Sequence, residues 1–267
     1  MKRIRVRQKH NWFSRLFIVA LLAGFWRVFD RRSQKRIPNQ EGIEDPEVVA
    51  AFEWVSRTPQ MRWIRHFVIS QAAVLKDHGE AVDLGCGAGQ LVMEMARKAP
   101  GLHVTGIDLS AKMLADARHS AERAGLEDRV DFRLGNVEEI PFPDQSLDLV
   151  ISTASLHHWT EPVKVLNEID RVLKPGGAYY VFDLRRDMVL PFYLLIWFAT
   201  QFIVPAALHR VNEPMGSRNA SYTVQELADL VQQSGLHGGL VTTGPIWIVL
   251  AGKKSVALIK QDTSYYQ

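Results

Sequence analysis

Three glycines at every second position, Gly85, Gly87 and Gly89, follow an apolar run ending in Asp83 and Leu84, and Asp108 closes the next apolar run 19 residues beyond Gly89. Glycines remove side chains where a ligand would approach a tight turn and the helix start behind it. A carboxylate at the end of the neighbouring strand accepts both hydroxyl protons of a ribose. A nucleoside-like ligand lying across the turn is the chemistry these residues imply. The spacing departs from the dinucleotide fingerprint G-x-G-x-x-G, because Gly85, Gly87 and Gly89 are followed by Gln90 where the last glycine belongs. Pyrophosphate is therefore not expected, and a nicotinamide oxidoreductase is the disfavoured alternative. Asp83 beside the turn repels pyrophosphate and suits a cationic amino group, directly or through water.

The surrounding chain supplies a frame for such a turn. Short apolar strand candidates at residues 80–84, 103–108, 129–134, 147–152 and 178–183 alternate with helical stretches, the pattern of a parallel sheet with helices on both faces. Ser110 is placed to cap a helix that Gly125 ends. Pro162 opens a helix with the apolar stripe Val163, Leu166, Ile169 and Leu173. Thr223 and Glu226 have capping-box spacing ahead of Leu227. Candidates at 240–243 and 246–251, separated by Gly244-Pro245, predict an antiparallel hairpin that completes a sheet of seven strands.

Charge divides the chain unevenly. The first 36 residues hold 11 Lys/Arg against one acid, leaving 21 cations against 28 acids for residues 37–267. The basic residues bracket an uncharged apolar run at 16–26, too short to span a bilayer and suited to lying on its surface with Trp12 and Trp26 at the interface. Residues 1–36 are read as a basic, hydrophobic membrane-surface helix, 37–44 as a linker and 45–267 as one catalytic-type domain. Nucleic-acid binding is not expected, since the rest of the protein is acidic and no stacking pattern interleaves the tail. A second uncharged stretch, residues 188–208, contains Pro191 and Pro205 and is read as part of a hydrophobic cap inserted at 184–215 that can dip into a membrane surface. The single cysteine, Cys86, excludes an intramolecular disulfide framework.

In order and spacing these motifs resemble the class I S-adenosylmethionine-dependent methyltransferases over about residues 45–260. The resemblance rests on residues 82–90, on Asp108, on Gly135-Asn136-Val137, on 147–152 and on Arg171-Val172-Leu173-Lys174-Pro175-Gly176-Gly177. Ile140-Pro141-Phe142-Pro143 and Ser155-Leu156-His157-His158-Trp159 are similar to the branch containing the ubiquinone and menaquinone biosynthesis methyltransferases. The resemblance implies an α/β, Rossmann-like, doubly wound and mostly parallel sheet with S-adenosyl-L-methionine as cofactor. It implies that Asp83 and the backbone of Gly85, Cys86, Gly87 and Gly89 hold the methionine part, and that Asp108 holds the ribose. Leu109 and Met113 would flank the adenine, with Asn136 and Val137 at its edge. The family usually has aspartate where this chain has Asn136.

A sulfonium methyl group is already electrophilic, so such a protein aligns an acceptor and excludes water. His157 and His158 follow the fourth strand at its ligand-binding edge and are placed in the substrate pocket. No base is assigned, although His157 is a candidate. No cluster of hard ligands suggests a metal. The expected partner is a small lipophilic acceptor, and the expected location is the cytoplasm, peripherally on the inner face of the membrane. A membrane-associated scaffold that binds the cofactor without turnover is the alternative.

Overall fold

The computed structural model describes residues 35–38 and 45–255. Apart from Lys35 and Arg36, the expected surface helix at 1–36 lies outside the described residues, as do positions 39–44 of the linker.

Two helices, α1 (Pro46–Ser56) and α2 (Pro59–Leu75), precede the sheet. They break at Thr58-Pro59 because proline has no N–H to give and suits the first turn of a new helix. Asp45 caps α1, its side chain accepting the Glu47 N–H at 2.9 Å.

Seven strands follow: β1 (His78–Leu84), β2 (Gly101–Asp108), β3 (Val130–Leu134), β4 (Leu147–Thr153), β5 (Leu173–Leu184), β6 (Gly239–Thr243) and β7 (Trp247–Lys253). Their order is β3-β2-β1-β4-β5-β7-β6. The first five pair in parallel, while β7 runs antiparallel to both β5 and β6, as expected for the terminal hairpin. The chain steps outward from β1 through β2 to β3 and then returns to β4 on the other side of β1. That reversal opens a crevice at the carboxyl ends of β1 and β4, where ligands bind in such sheets.

Side chains alternate along each strand, so β5 serves two cores. Tyr180 and Phe182 pack with Val68, Met95 and Leu114 of α2, α3 (Gln90–Lys98) and α4 (Ala111–Arg123). Tyr179 and Val181 pack with Leu166, Ile169 and Leu227 of α5 (Pro162–Val172) and α9 (Val224–Gln233). The predicted caps form: the Ser110 hydroxyl accepts the Met113 N–H, and Thr223 and Glu226 close a reciprocal capping box. The apolar stripe of α5 differs from expectation. Val165, Leu166, Ile169 and Val172 are buried, Val163 is only half-buried, and Leu173 begins β5, where its backbone pairs with Leu147. The helix therefore stops one residue earlier than side-chain periodicity alone suggests.

The uncharged stretch 188–208 becomes α6 (Leu190–Phe202) and the short α7 (Ala206–His209), followed by α8 (Met215–Ala220). Pro191 occupies the first turn of α6 and Pro205 precedes α7, which breaks the stretch. No helix among the described residues is long and apolar enough to cross a membrane. Tyr193 anchors α6 from below, with the Arg218 guanidinium of α8 5.0 Å above its ring. Leu195, Phe198 and Phe202, at helical spacing, face outward, Phe202 being 69% exposed.

Candidate functional site

The glycine turn sits where β1 ends and α3 begins. Gly85 and Cys86 both donate their N–H groups to the Ile107 carbonyl at 2.9 Å, which pins the turn to β2. Gly87 has φ of +52°, and a Cβ there would meet nothing within 4 Å, because that side of the backbone faces a cavity. The cavity has a volume of about 320 Å3, enough for a small ligand. Gly85, Cys86, Gly87, Asp108, Leu109 and Met113 line it, as expected, and Gly135, Asn136 and Val137 close the same end.

Asp108 is held rather than free. One carboxylate oxygen accepts the Gly87 N–H at 2.8 Å and the other accepts the Ser110 N–H at 2.9 Å. A carboxylate offers about four lone-pair positions, so a diol can still be accepted on the cavity side. Asn136 lines the end of the cavity where the adenine edge was expected. Its carbonyl oxygen accepts the Glu138 N–H at 2.9 Å, capping a single 3-10 turn, Val137–Glu139. The oxygen keeps a second lone pair for an exocyclic amine, and the NH2 is available to a ring nitrogen.

Two residues expected at the cofactor do not line the cavity. Gly89, with φ of +75°, serves packing: a Cβ there would come within 2.6 Å of the Phe132 ring. Asp83 lies beneath the turn, 2% exposed, with its Oδ1 unpartnered. Burial, reinforced by the charge of Asp108, pushes its carboxyl up to about 7. A buried, unpartnered carboxyl beside an open glycine turn fits a cationic ligand group above it, since such a charge is stable only when paired. The orphaned oxygen, the bare turn and the oriented Asp108 together match a nucleoside carrying a positive centre. Burial also pushes the Cys86 thiol well above its ordinary value, and its sulfur packs against Gly106 in the core.

The opposite wall comes from β4 and the 3-10 turn Leu156–His158. His158 lines the cavity with Ser155 and Trp159, whereas His157, the candidate base, does not. His157 is 2% exposed, with its ring turned to Asp183, the penultimate residue of β5. Burial opposes its protonation, but the charge and hydrogen bond of Asp183 overcome that and hold it above its ordinary value. His158 lies against it with the ring planes tilted by 41° and the centroids 4.1 Å apart. Its own burial, then the charge of His157, push it down to about 4.

Three contributors, the helix α1, Asp183 and Arg36, were not legible in the sequence as parts of the site. Phe52, Glu53 and Ser56 of α1 line the cavity, and no residue of 184–215 does, so α1 supplies the lid expected from that insertion. Asp183 gave no local signal. Arg36, counted among the tail cations, donates to the carbonyls of Ala220 and His157 at 2.6 and 3.0 Å and lies 4.4 Å over the Tyr222 ring.

Residues 82–181 match the family described as "Methyltransferase domain". A demethylmenaquinone methyltransferase of Lactiplantibacillus plantarum is 33% identical over 173 residues, covering 60% of this chain and 71% of its own length. The 27-O-demethylrifamycin SV methyltransferase of Amycolatopsis mediterranei is 41% identical over 102 residues, or 38% of this chain; the chain spans only 37% of that relative's length. The crystal structure of a SAM-dependent methyltransferase from Aquifex aeolicus superposes with a TM-score of 0.59 at 19% identity, covering 79% of this chain and 99% of the other. At that identity the superposition speaks for the fold alone.

Proposed function

The chain belongs to the class I S-adenosylmethionine-dependent methyltransferases, and from that premise we propose that it transfers the cofactor's methyl group to a small lipophilic acceptor by in-line displacement. The observation that carries this reading is the cavity itself: one end has the bare Gly87 backbone and Asp108, the other the aromatic Phe52 and Trp159 beside a single imidazole and the hydroxyls of Ser56, Thr153 and Ser155. When bound, S-adenosylmethionine supplies a methyl group on a sulfonium, an electrophile needing no further activation. Asp108 and the turn amides would fix the nucleoside end, and Asp83 would face the positive end. Phe52 and Trp159 would exclude water around the acceptor, so that most of the rate gain is positional.

The lipophilic character of the acceptor is supported by relatives named for demethylmenaquinone and for 27-O-demethylrifamycin SV. The reading extends to a peripheral site on the inner face of the membrane. The outward stripe of α6 and the basic, apolar sequence of residues 1–36 favour a bilayer surface from which such an acceptor could be drawn.

Calorimetry with S-adenosylmethionine and with nicotinamide dinucleotide tests the cofactor, and saturable binding of the first alone is expected. Incubation with methyl-labelled cofactor and a bacterial lipid extract tests turnover, with label expected in an organic-soluble product. Cofactor binding without any transferred label would favour the inactive scaffold instead.

A further inference from the structure

The histidine pair on the acceptor wall is unequal. His157 is sealed in the core, where its backbone N–H and its Nδ1 both engage Asp183, and its carbonyl is taken by Arg36. His158 sits in front of it, half-buried, with its ring at the cavity surface. We propose, resting on the methyl-transfer reading, that His158 offers a ring-nitrogen lone pair to the hydroxyl of an apolar alcohol or phenol, so that the acceptor class is defined by an O–H aimed at this wall.

The surroundings of His158 decide its state. Behind it lie His157, whose protonation Asp183 sustains, and the guanidinium of Arg36; both disfavour a second positive charge. Asp183 works the other way but is spent on His157, and burial adds to the disfavour. Glu53 and Asp108 line the same cavity, as does the turn above Asp83. A cationic cofactor held there would push against protonation again. The outcome is a neutral imidazole, donor on one nitrogen and acceptor on the other, beside the rings of Phe52 and Trp159 and the hydroxyl-bearing Ser56, Thr153 and Ser155. A hydroxyl satisfies that acceptor; an aliphatic C–H or a quaternary nitrogen leaves it unpaired.

The chemistry balances. As the acceptor oxygen forms its bond to the methyl carbon, the carbon–sulfur bond breaks and its electron pair stays on sulfur. The hydroxyl proton passes to the His158 nitrogen, so one positive charge leaves sulfur and one arrives on the imidazole, from which solvent removes it. A weakly basic imidazole suffices, because a methylated oxonium is a far stronger acid than an imidazolium.

Paired probes test the recognition without turnover. The full-length protein, saturated with S-adenosylhomocysteine, is titrated at pH 7.5 with 4-hexylphenol and with hexylbenzene, which lacks only the hydroxyl. The phenol is expected to bind at least about tenfold more tightly, the worth of a well-made hydrogen bond in a dry site. His158→Phe should erase that preference to within about twofold with S-adenosylhomocysteine affinity unchanged, and His158→Gln, which keeps an acceptor oxygen, should restore part of it. Should the variants fail to fold, the wild-type 15N spectrum decides: the acceptor-nitrogen resonance of His158 should move on adding the phenol and stay put on adding hexylbenzene. No phenol preference in the wild type, a preference surviving in His158→Phe, or an unmoved resonance overturns the proposal. Failure of S-adenosylhomocysteine to bind at all would instead sink the methyltransferase reading.

Discussion

The Nδ1 of His157 lies 2.9 Å from both carboxylate oxygens of Asp183, and the same carboxylate accepts the His157 backbone N–H at 2.8 Å. Both side chains are almost wholly buried, so this pair ties the turn after β4 to the end of β5 from inside the core. Asp183→Asn should destabilise the protein by about 3 kcal/mol, as expected when one partner of a buried pair is removed. The folded value of His157 lies above its ordinary 6.5. Its contribution is therefore fully present below about pH 6.5 and fades as pH rises through the folded value. Urea unfolding of the two proteins at pH 6 and pH 9 should show the gap narrowing at the higher pH. With His157 neutral, the His158 titration followed by NMR should move upward from about 4.

Asp83 makes a prediction with the opposite sense. Its carboxyl is raised to about 7 by burial and then by Asp108. An ordinary aspartate ionises near 3.8, so the folded state disfavours the carboxylate and ligand-free stability declines as pH climbs from about 4 to 7. A cationic ligand prefers that carboxylate. Affinity for S-adenosylmethionine should strengthen toward pH 7, by at most about tenfold per pH unit, and level off above it. Asp83→Asn should flatten this profile and raise the melting temperature of the ligand-free protein at pH 8. Calorimetry and thermal unfolding across pH 5.5–8.5 check both; an unchanged slope in the variant would remove Asp83 from the cofactor's surroundings.

Asp108 is the most exacting position for nucleoside binding. Removing the carboxylate takes away the diol contact and releases the Gly87 and Ser110 amides it now orients. Hydrogen bonds to a charged group are worth about 1.5–3 kcal/mol each. Asp108→Ala should therefore weaken S-adenosylmethionine by about 100-fold or more, and Asp108→Asn, which keeps one acceptor, by less. Equal affinity in wild type and Asp108→Ala would refute the ribose assignment.

What could be read in the chain before its fold was known follows from how local each feature is. The strand, glycine turn and helix follow one another without interruption from His78 to Lys98, and Asp108 closes the next strand, so spacing alone placed them. The terminal hairpin and the Thr223–Glu226 capping box were legible for the same reason. The histidines were not: adjacent in sequence, they separate into a core residue and a cavity residue because a 3-10 turn rotates successive side chains apart and Asp183, 26 residues away, claims one of them. The lid went to α1 rather than to 184–215 because α6 packs on α8 through Tyr193 and Arg218 and turns its apolar stripe outward. Hydrophobicity marked that insertion but not the direction it faces.

The outward stripe of α6 carries the last prediction. Leu195, Phe198 and Phe202 make few burial demands where they are, so polar replacements should leave the core intact. In Leu195→Ser/Phe198→Ser/Phe202→Ser the unfolding midpoint should stay within a few degrees of wild type. Sedimentation with phosphatidylcholine–phosphatidylglycerol vesicles should fall several-fold, because about 1 kcal/mol or more of apolar transfer is lost per side chain. Deleting residues 1–34, which spares Arg36 and its hold on His157 and Ala220, should lower vesicle binding further, and more so at low salt, because it removes a basic tail. S-adenosylmethionine affinity should be unchanged in both variants. Equal sedimentation of all three proteins would confine the acceptor to solution and withdraw the membrane from the account.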